Sequence, residues 1–171
     1  DAVVGALLDA GANGALPRYD GTTPLMFAAQ EGHLPVVRLL VDAGVDTGAT
    51  ATDGDSAVGA ALRGGHEDVF DLLLPTVADV AAIRSRNGRA LLFDAAGVAS
   101  VHFVAALLGA GGDPNRTEER GTTPLMFAAQ GGYVANMRAL LAAGANAAAT
   151  SGAGETALFY AARGDHADAV T

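Results

Sequence analysis

The chain contains no cysteine, no tryptophan and no lysine. Without cysteine there are no disulfides and no thiol chemistry, and the compartment stays open. Without lysine there is no Schiff-base chemistry and no lysine-directed modification within these residues; all ten basic residues are arginine. Aromatic side chains make up only 5% of the sequence, and alanine is its commonest residue. Such a composition suits thin helices packed closely together rather than one thick core. No uninterrupted apolar stretch approaches the ~18 residues of a membrane-spanning helix, and the first residues show no signal-peptide pattern. Positive charge is also scarce. The net charge is −9 over 171 residues, which argues against nucleic acid or an anionic membrane as the default partner.

What the sequence has in abundance is repetition. The ten residues Gly21 to Gln30, GTTPLMFAAQ, recur letter for letter from Gly121 to Gln130. Weaker copies lie between and after them. Aligned on the leading glycine, the copies start at Gly21, Gly54, Gly88, Gly121 and Gly154, in steps of 33, 34, 33 and 33 residues. A fixed period of this length predicts a stack of small units, each burying its apolar face against its neighbours.

The copy at Gly21 shows how a unit is built. Thr23 suits a helix N-cap and Pro24 the first helical turn, so a helix is expected over Pro24–Gln30, ending near Glu31 and Gly32. His33 opens a short loop. A second helix is expected from about Pro35 to Ala43, with Val36, Val37, Leu39, Leu40 and Val41 on one apolar stripe. Gly44 follows as a C-cap. A polar stretch rich in Asp and Gly then reads as a tight turn leading to Gly54. Neither helix is long enough to stand alone.

The pattern Gly21-Thr22-Thr23-Pro24-Leu25, Ala28-Ala29, Gly32-His33, Val36-Val37, Leu39-Leu40 and Gly44 resembles the ankyrin repeat, and five matching anchors carry the resemblance over essentially the whole chain. The implied fold is all-α: an α-solenoid of stacked repeats, each a β-turn, a helix, a loop and a helix, with a period of about 33. The chain then divides into residues 1–20, the second helix and turn of a truncated repeat; 21–53, a repeat; 54–87, a degenerate repeat; 88–120 and 121–153, two repeats; and 154–171, a truncated repeat. Neither end offers a polar capping repeat, so the expectation is an excerpt of a longer array or multidomain protein. The resemblance favours an intracellular setting, cytoplasmic or nuclear.

The copy at Gly54 departs furthest from the pattern. Ser56-Ala57-Val58-Gly59 replaces the Thr-Pro-Leu start, and Gly59 within a helix costs roughly 1 kcal/mol relative to alanine. Pro75 falls where two more helical residues are wanted, and no glycine cap follows. In the family a histidine follows Thr-Pro-Leu and hydrogen-bonds neighbouring turns. Here Met26, Gly59, Phe93, Met126 and Phe159 occupy its place, which implies weaker tethering between turns.

Catalytic and metal readings find little support. His33, His66 and His166 recur twelve residues after their glycines, so repeat position accounts for them. His102 has no neighbours at ligand spacing. No HExxH, Cys/His cluster or P-loop is present; Gly109 to Gly112 lacks the Lys-Ser/Thr ending. No general acid/base dyad is visible. No catalytic residue, metal site, cofactor or small-molecule substrate is therefore expected.

What remains is the surface. In the ankyrin family, partners are gripped by turn tips and by the inner faces of first helices. Carried onto this chain, those positions are Tyr19, Asp20, Gln30 and Glu31 in the first copy and Asp53, Asp55 and Arg63 in the second. They are Arg86, Asn87 and Arg89 in the third, Glu119, Arg120 and Gln130 in the fourth, and Arg163 in the fifth. The implied function is a protein–protein interaction scaffold. Arg84, Arg86, Arg89, Arg116 and Arg120 cluster in the third and fourth turns, so an acidic segment is the expected partner chemistry, with Arg86, Arg89 and Arg120 along one ridge. One alternative is a targeting or regulatory arm of a larger enzyme such as a kinase or ubiquitin ligase. A weaker one is nucleic-acid binding through the arginine turns, which the net charge disfavours.

Overall fold

The computed structural model describes residues 1–85 and 89–164. Among these are ten α-helices: α1 (Ala2–Asp9), α2 (Pro24–Gln30), α3 (Leu34–Asp42), α4 (Ala57–Gly64), α5 (Glu67–Leu73), α6 (Leu91–Ala96), α7 (Val101–Gly109), α8 (Pro124–Gln130), α9 (Val134–Ala142) and α10 (Ala157–Arg163). The described residues contain no strand; an isolated antiparallel bridge joins Thr50 and Ser56. The helices fall into two compact units, Asp1–Gly88 and Arg89–Thr171.

Local chemistry explains where the helices start. The Thr23 hydroxyl accepts from the Met26 amide (3.3 Å), and Thr123 does the same for Met126 (3.4 Å). Pro24 and Pro124 occupy the first helical position, where a missing N–H leaves nothing unpaired. The degenerate copy keeps this device despite losing Thr-Pro. The Ser56 hydroxyl accepts from the Gly59 amide (3.1 Å). At the other end, Gly44 follows α3 with φ +75, and the Asp46 carboxylate closes the loop beyond by accepting from the Gly48 amide (2.9 Å). Asn13, Asp113 and Asn146 close their loops in the same way.

In the first unit α2 packs against α4 and α3 against α5, with α1 on α3. The core between them holds Leu25, Met26, Val37, Leu40, Val69 and Phe70. In the second unit α8 lies between α6 and α10, and α7 packs on α9; Phe93, Phe103, Leu107, Leu125, Met126 and Leu140 are buried there. One of the buried polar residues links two repeats. Asn136, on α9, is fully enclosed, and its amide nitrogen donates to the carbonyls of Ala95 (3.3 Å), Ala96 (3.2 Å) and Val98 (2.7 Å). Those groups end α6 and begin its loop, and helix-end carbonyls have no partner within their own helix. Asn136 thus pins one repeat to the end of its neighbour's first helix.

The segment after α5 carries the expected irregularity. Pro75 sits in a 3₁₀ turn, Leu74–Thr76, and a second short turn, Val80–Ala82, follows. The second helix of this copy therefore stops at Leu73, where α3 and α9 run for nine residues.

Two outcomes follow. Amides over 54–85 should exchange faster with deuterium than those over 121–153, because local stability in a repeat sums a unit's own terms with those of its interfaces; equal protection would contradict this. Asn136→Leu, which fills the volume but removes the side-chain donor that three carbonyls share, should lower stability by about 1–3 kcal/mol in urea denaturation, and an unchanged midpoint would remove the pinning role.

Candidate protein-docking surface

The turns are built by one repeated hydrogen-bond pair. In the first copy the Gly21 amide donates to the Arg18 carbonyl (3.0 Å) and the Arg18 amide to the Thr22 carbonyl (2.9 Å). The same pair recurs at Ala51, Glu118 and Ser151 with Gly54, Gly121 and Gly154. Gly21 has φ +80 and Gly121 φ +68, a left-handed conformation that side chains resist. These glycines also admit the next turn. A Cβ on Gly21 would lie 3.0 Å from the backbone of Ala51 and Thr52, and one on Gly121 would lie 3.1 Å from the Gly152 amide nitrogen.

That proximity ties consecutive turns directly. The Thr52 amide and hydroxyl both donate to the Asp20 carbonyl (3.0 and 2.9 Å). In the second unit the Gly152 amide donates to the Arg120 carbonyl (2.7 Å). The turns are tethered through backbone where the family's histidine is missing. A further tie joins the loops that follow α7 and α9: the Asn115 amide donates to the Gly144 carbonyl (2.9 Å), and its oxygen accepts from the Asn146 amide (2.7 Å). Histidine still has a tethering role elsewhere. His66 Nε2 donates to the Gln30 carbonyl (3.0 Å), and its ring lies where a Cβ on Gly32 or Gly64 would have to go. His33 is exposed, and His166 lies outside the described residues. Among the described residues no three His, Asp or Glu side chains gather as a metal ion would require.

The candidate contact residues fall into three groups. Tyr19 is 93% exposed at its turn tip, and Gln30, Glu31, Asp53, Glu119, Arg120 and Gln130 are also exposed. Asp20 is half-buried and accepts from the Thr22 amide (3.0 Å); hydrogen bonding from Thr22, backbone first, holds its carboxyl below its ordinary value. The second group pairs within its own repeat. Asp55, expected as an exposed tip, is only 4% exposed. Arg63 grips it with both guanidinium nitrogens, one at 2.6 Å. Arg163 donates to Glu155 through one guanidinium nitrogen (2.5 Å) and lies over the Tyr160 ring at 4.9 Å. The third group concerns the arginine ridge. Arg86 and Asn87 lie outside the described residues, while Arg89 stacks over the Phe127 ring at 5.2 Å and pairs with Glu118 at 3.5 Å.

Sequence reasoning did not single out Glu118 as a site residue, yet it sets the charge of this corner. Burial pushes its carboxyl above the ordinary value; Arg89 acts the other way, and Asp94 and Glu119 push it up again. A carboxyl raised on folding binds its proton more tightly when folded, so stability falls as pH rises from the unfolded value through the folded one. Glu118→Gln cannot ionise and escapes that loss. Parent and variant should converge in urea midpoint below a pH of about 4.3, with the variant the more stable at neutral pH. A less stable variant at neutral pH would mean that the Arg89 attraction outweighs burial.

No helix among the described residues is long and apolar enough to cross a membrane. The family described as ankyrin repeats, in three copies, matches residues 1–84 and 92–171. No curated protein matches the chain. Ankyrin repeats are in general protein–protein interaction modules and are typically non-catalytic. The glycine-anchored turns, the paired short helices and this match agree, and the chain belongs to the ankyrin repeat family.

Proposed function

We propose that this segment is a scaffold that docks another protein through its turn tips and the adjoining first-helix positions, with no catalysis of its own. The observation that carries this reading is a contrast between backbone and side chain. The turn backbones are tied in pairs, by Thr52 to Asp20 and by Gly152 to Arg120, while Tyr19, Glu119 and Arg120 are exposed on the turns and Gln30 and Gln130 at the ends of α2 and α8. Within each unit, side chains held on turns that are tied to one another lose little backbone freedom on binding, which favours affinity. Repeat boundaries at Gly21, Gly54, Gly121 and Gly154 draw support from the shared positive φ of these four glycines.

The partner chemistry is an acidic segment meeting the arginines of the third and fourth turns. Arg120 is the exposed anchor, and arginine suits the role because its planar fork pairs with a carboxylate through two hydrogen bonds. Arg89 contributes only by releasing Glu118, so its share is small.

A displayed peptide library selected on the chain tests both parts. Selected peptides should be acidic, and Tyr19→Ala and Arg120→Ala should each weaken their binding about tenfold, the effect of ~1.4 kcal/mol. Arg38→Ala, on the exposed face of the second helix α3, should leave it unchanged. Sensitivity to Arg38 with indifference to both tip variants would place the contact surface elsewhere. Selected peptides without acidic bias would remove the partner chemistry while leaving the scaffold reading intact.

A further inference from the structure

The carboxylate that faces Arg89 is a poor partner for it. Other arginines of the chain pair better. Arg63 holds Asp55 through both terminal nitrogens, and Arg163 donates to Glu155 at 2.5 Å. Arg18 and Asp20 stand 3.6 Å apart, but both side chains are open to water, which can complete their hydrogen bonding. Arg89 and Glu118 have neither advantage. The contact is made by Nε at 3.5 Å. The Glu118 Oε1 that makes it is buried, and among the described residues it accepts no hydrogen bond.

Local structure keeps the pair from improving. The Glu118 amide donates to the Thr122 carbonyl (3.1 Å), and its carbonyl accepts from the Gly121 amide (2.8 Å), so its backbone is fixed in the anchor turn. Arg89 lies over the Phe127 ring at 5.2 Å, and that ring meets Phe93 edge to face at 5.6 Å. Stacking therefore sets the plane of the guanidinium. The surrounding charge works against the pair as well. Asp94 on α6 and Glu119 in the same turn are the other charged groups that act on Glu118, and both oppose its ionisation, as burial does. A partly buried carboxylate with one long contact and two like charges nearby is held there at a cost.

We propose that Glu118 is a built-in competitor that gates Arg89, so that an acidic segment of a partner engages this arginine only when Glu118 is displaced or uncharged. The gate deepens the docking function proposed above and rests on its acidic partner chemistry. The side chains of Arg89 and Glu118 are 31% and 23% exposed, so a ligand reaches both from solvent. Its carboxylate can meet the terminal nitrogens in the plane of the fork, the geometry that gives two hydrogen bonds and that Glu118 does not attain. The linkage has one sign. Loss of the Glu118 charge favours the anionic ligand, so by reciprocity the ligand favours the protonated Glu118. Binding takes up a proton and strengthens as pH falls from neutrality.

Calorimetry with a peptide of alternating glycine and cysteic acid tests the gate. Its sulfonates stay ionised, so the probe itself does not titrate. At neutral pH Glu118→Gln should bind it about fivefold more tightly than the parent, the scale of one surface ion pair. That gap should close as pH falls to the ordinary glutamate value of about 4.3, while carboxylates common to both proteins cancel in the comparison. In an Arg89→Met background, which keeps an apolar cover on Phe127, Glu118→Gln should bring no gain at any pH. If Arg89→Met lowers helix content by circular dichroism, Arg89→Gln makes the same comparison. A gain that persists without Arg89 would be a general effect of charge and would overturn the gate. So would a gap that acid does not close. If Arg120→Ala weakens probe binding while Glu118→Gln leaves it unchanged, the docking surface stands and the gate falls. If the probe binds neither the parent nor any variant, the acidic partner chemistry falls and the gate with it.

Discussion

Everything in this architecture depends on how closely one turn can approach the next. The helices are six to nine residues long, too short to persist without neighbours, so each repeat exists only as part of a stack. The approach is set at the anchor glycine. At Gly21 and Gly121 a side chain would meet the following turn's backbone at 3.0 and 3.1 Å, and the same residues need a left-handed φ. One residue type satisfies both constraints. Once it is in place, a backbone amide of the next turn reaches a carbonyl of this one, and the spacing of the first helices follows. The buried run of Leu25, Met26, Ala28 and Ala29 is a consequence of that spacing: small residues lie where helix meets helix, and large ones lie where the gap opens.

The charged groups on the inner positions answer to the same geometry. The residues one and nine after the anchor glycine come close in the copies at Gly54 and Gly154. Where they are Asp and Arg, or Glu and Arg, they pair with each other, as in Asp55–Arg63 and Glu155–Arg163. A carboxylate as enclosed as Asp55 needs such a partner, because an uncompensated buried charge is strongly destabilising. These four residues thus act first within their own repeats, and a docking protein would have to compete for them. Gln30 is an exposed, neutral inner position outside these pairs.

Most of the fold could be read from the sequence because its determinants are local. Thr23-Pro24 predicts a helix start, and the structure begins α2 at Pro24; Gly44 predicts a stop, and α3 ends two residues before it. Pro75 likewise breaks α5 where the pattern wanted more helix. What escaped was decided by neighbours distant in the chain. Asp55 reads as an exposed tip because its burial comes from tertiary packing that no local pattern records. Asn136 reads as one polar residue on a helix, because the carbonyls it serves lie about forty positions earlier. The arginines of the third and fourth turns read as a ridge, with local ion pairs to Asp53, Asp55, Glu118 and Glu119 as the alternative; packing decides for the pair at Arg89, which lies against Glu118. Ser56 shows the opposite error: judged by the lost Thr-Pro, the helix start looked damaged, but a serine hydroxyl does the same capping work.

The absence of lysine acquires a physical sense from these contacts. Three arginines lie over aromatic rings, Arg18 on Tyr19, Arg89 on Phe127 and Arg163 on Tyr160, at 4.9–5.4 Å. Each of the three also pairs with a carboxylate, of Asp20, Glu118 and Glu155 respectively. A guanidinium can do both at once because it is flat: its face stacks while its edge donates. An ammonium is a compact, strongly hydrated point charge, and it lacks the separate face and edge that this dual contact uses. A stacked arginine lays its aliphatic and planar parts along a ring while keeping its charge near the surface. The same side chain thereby finishes the packing of a repeat and sets the charge that repeat presents to a partner.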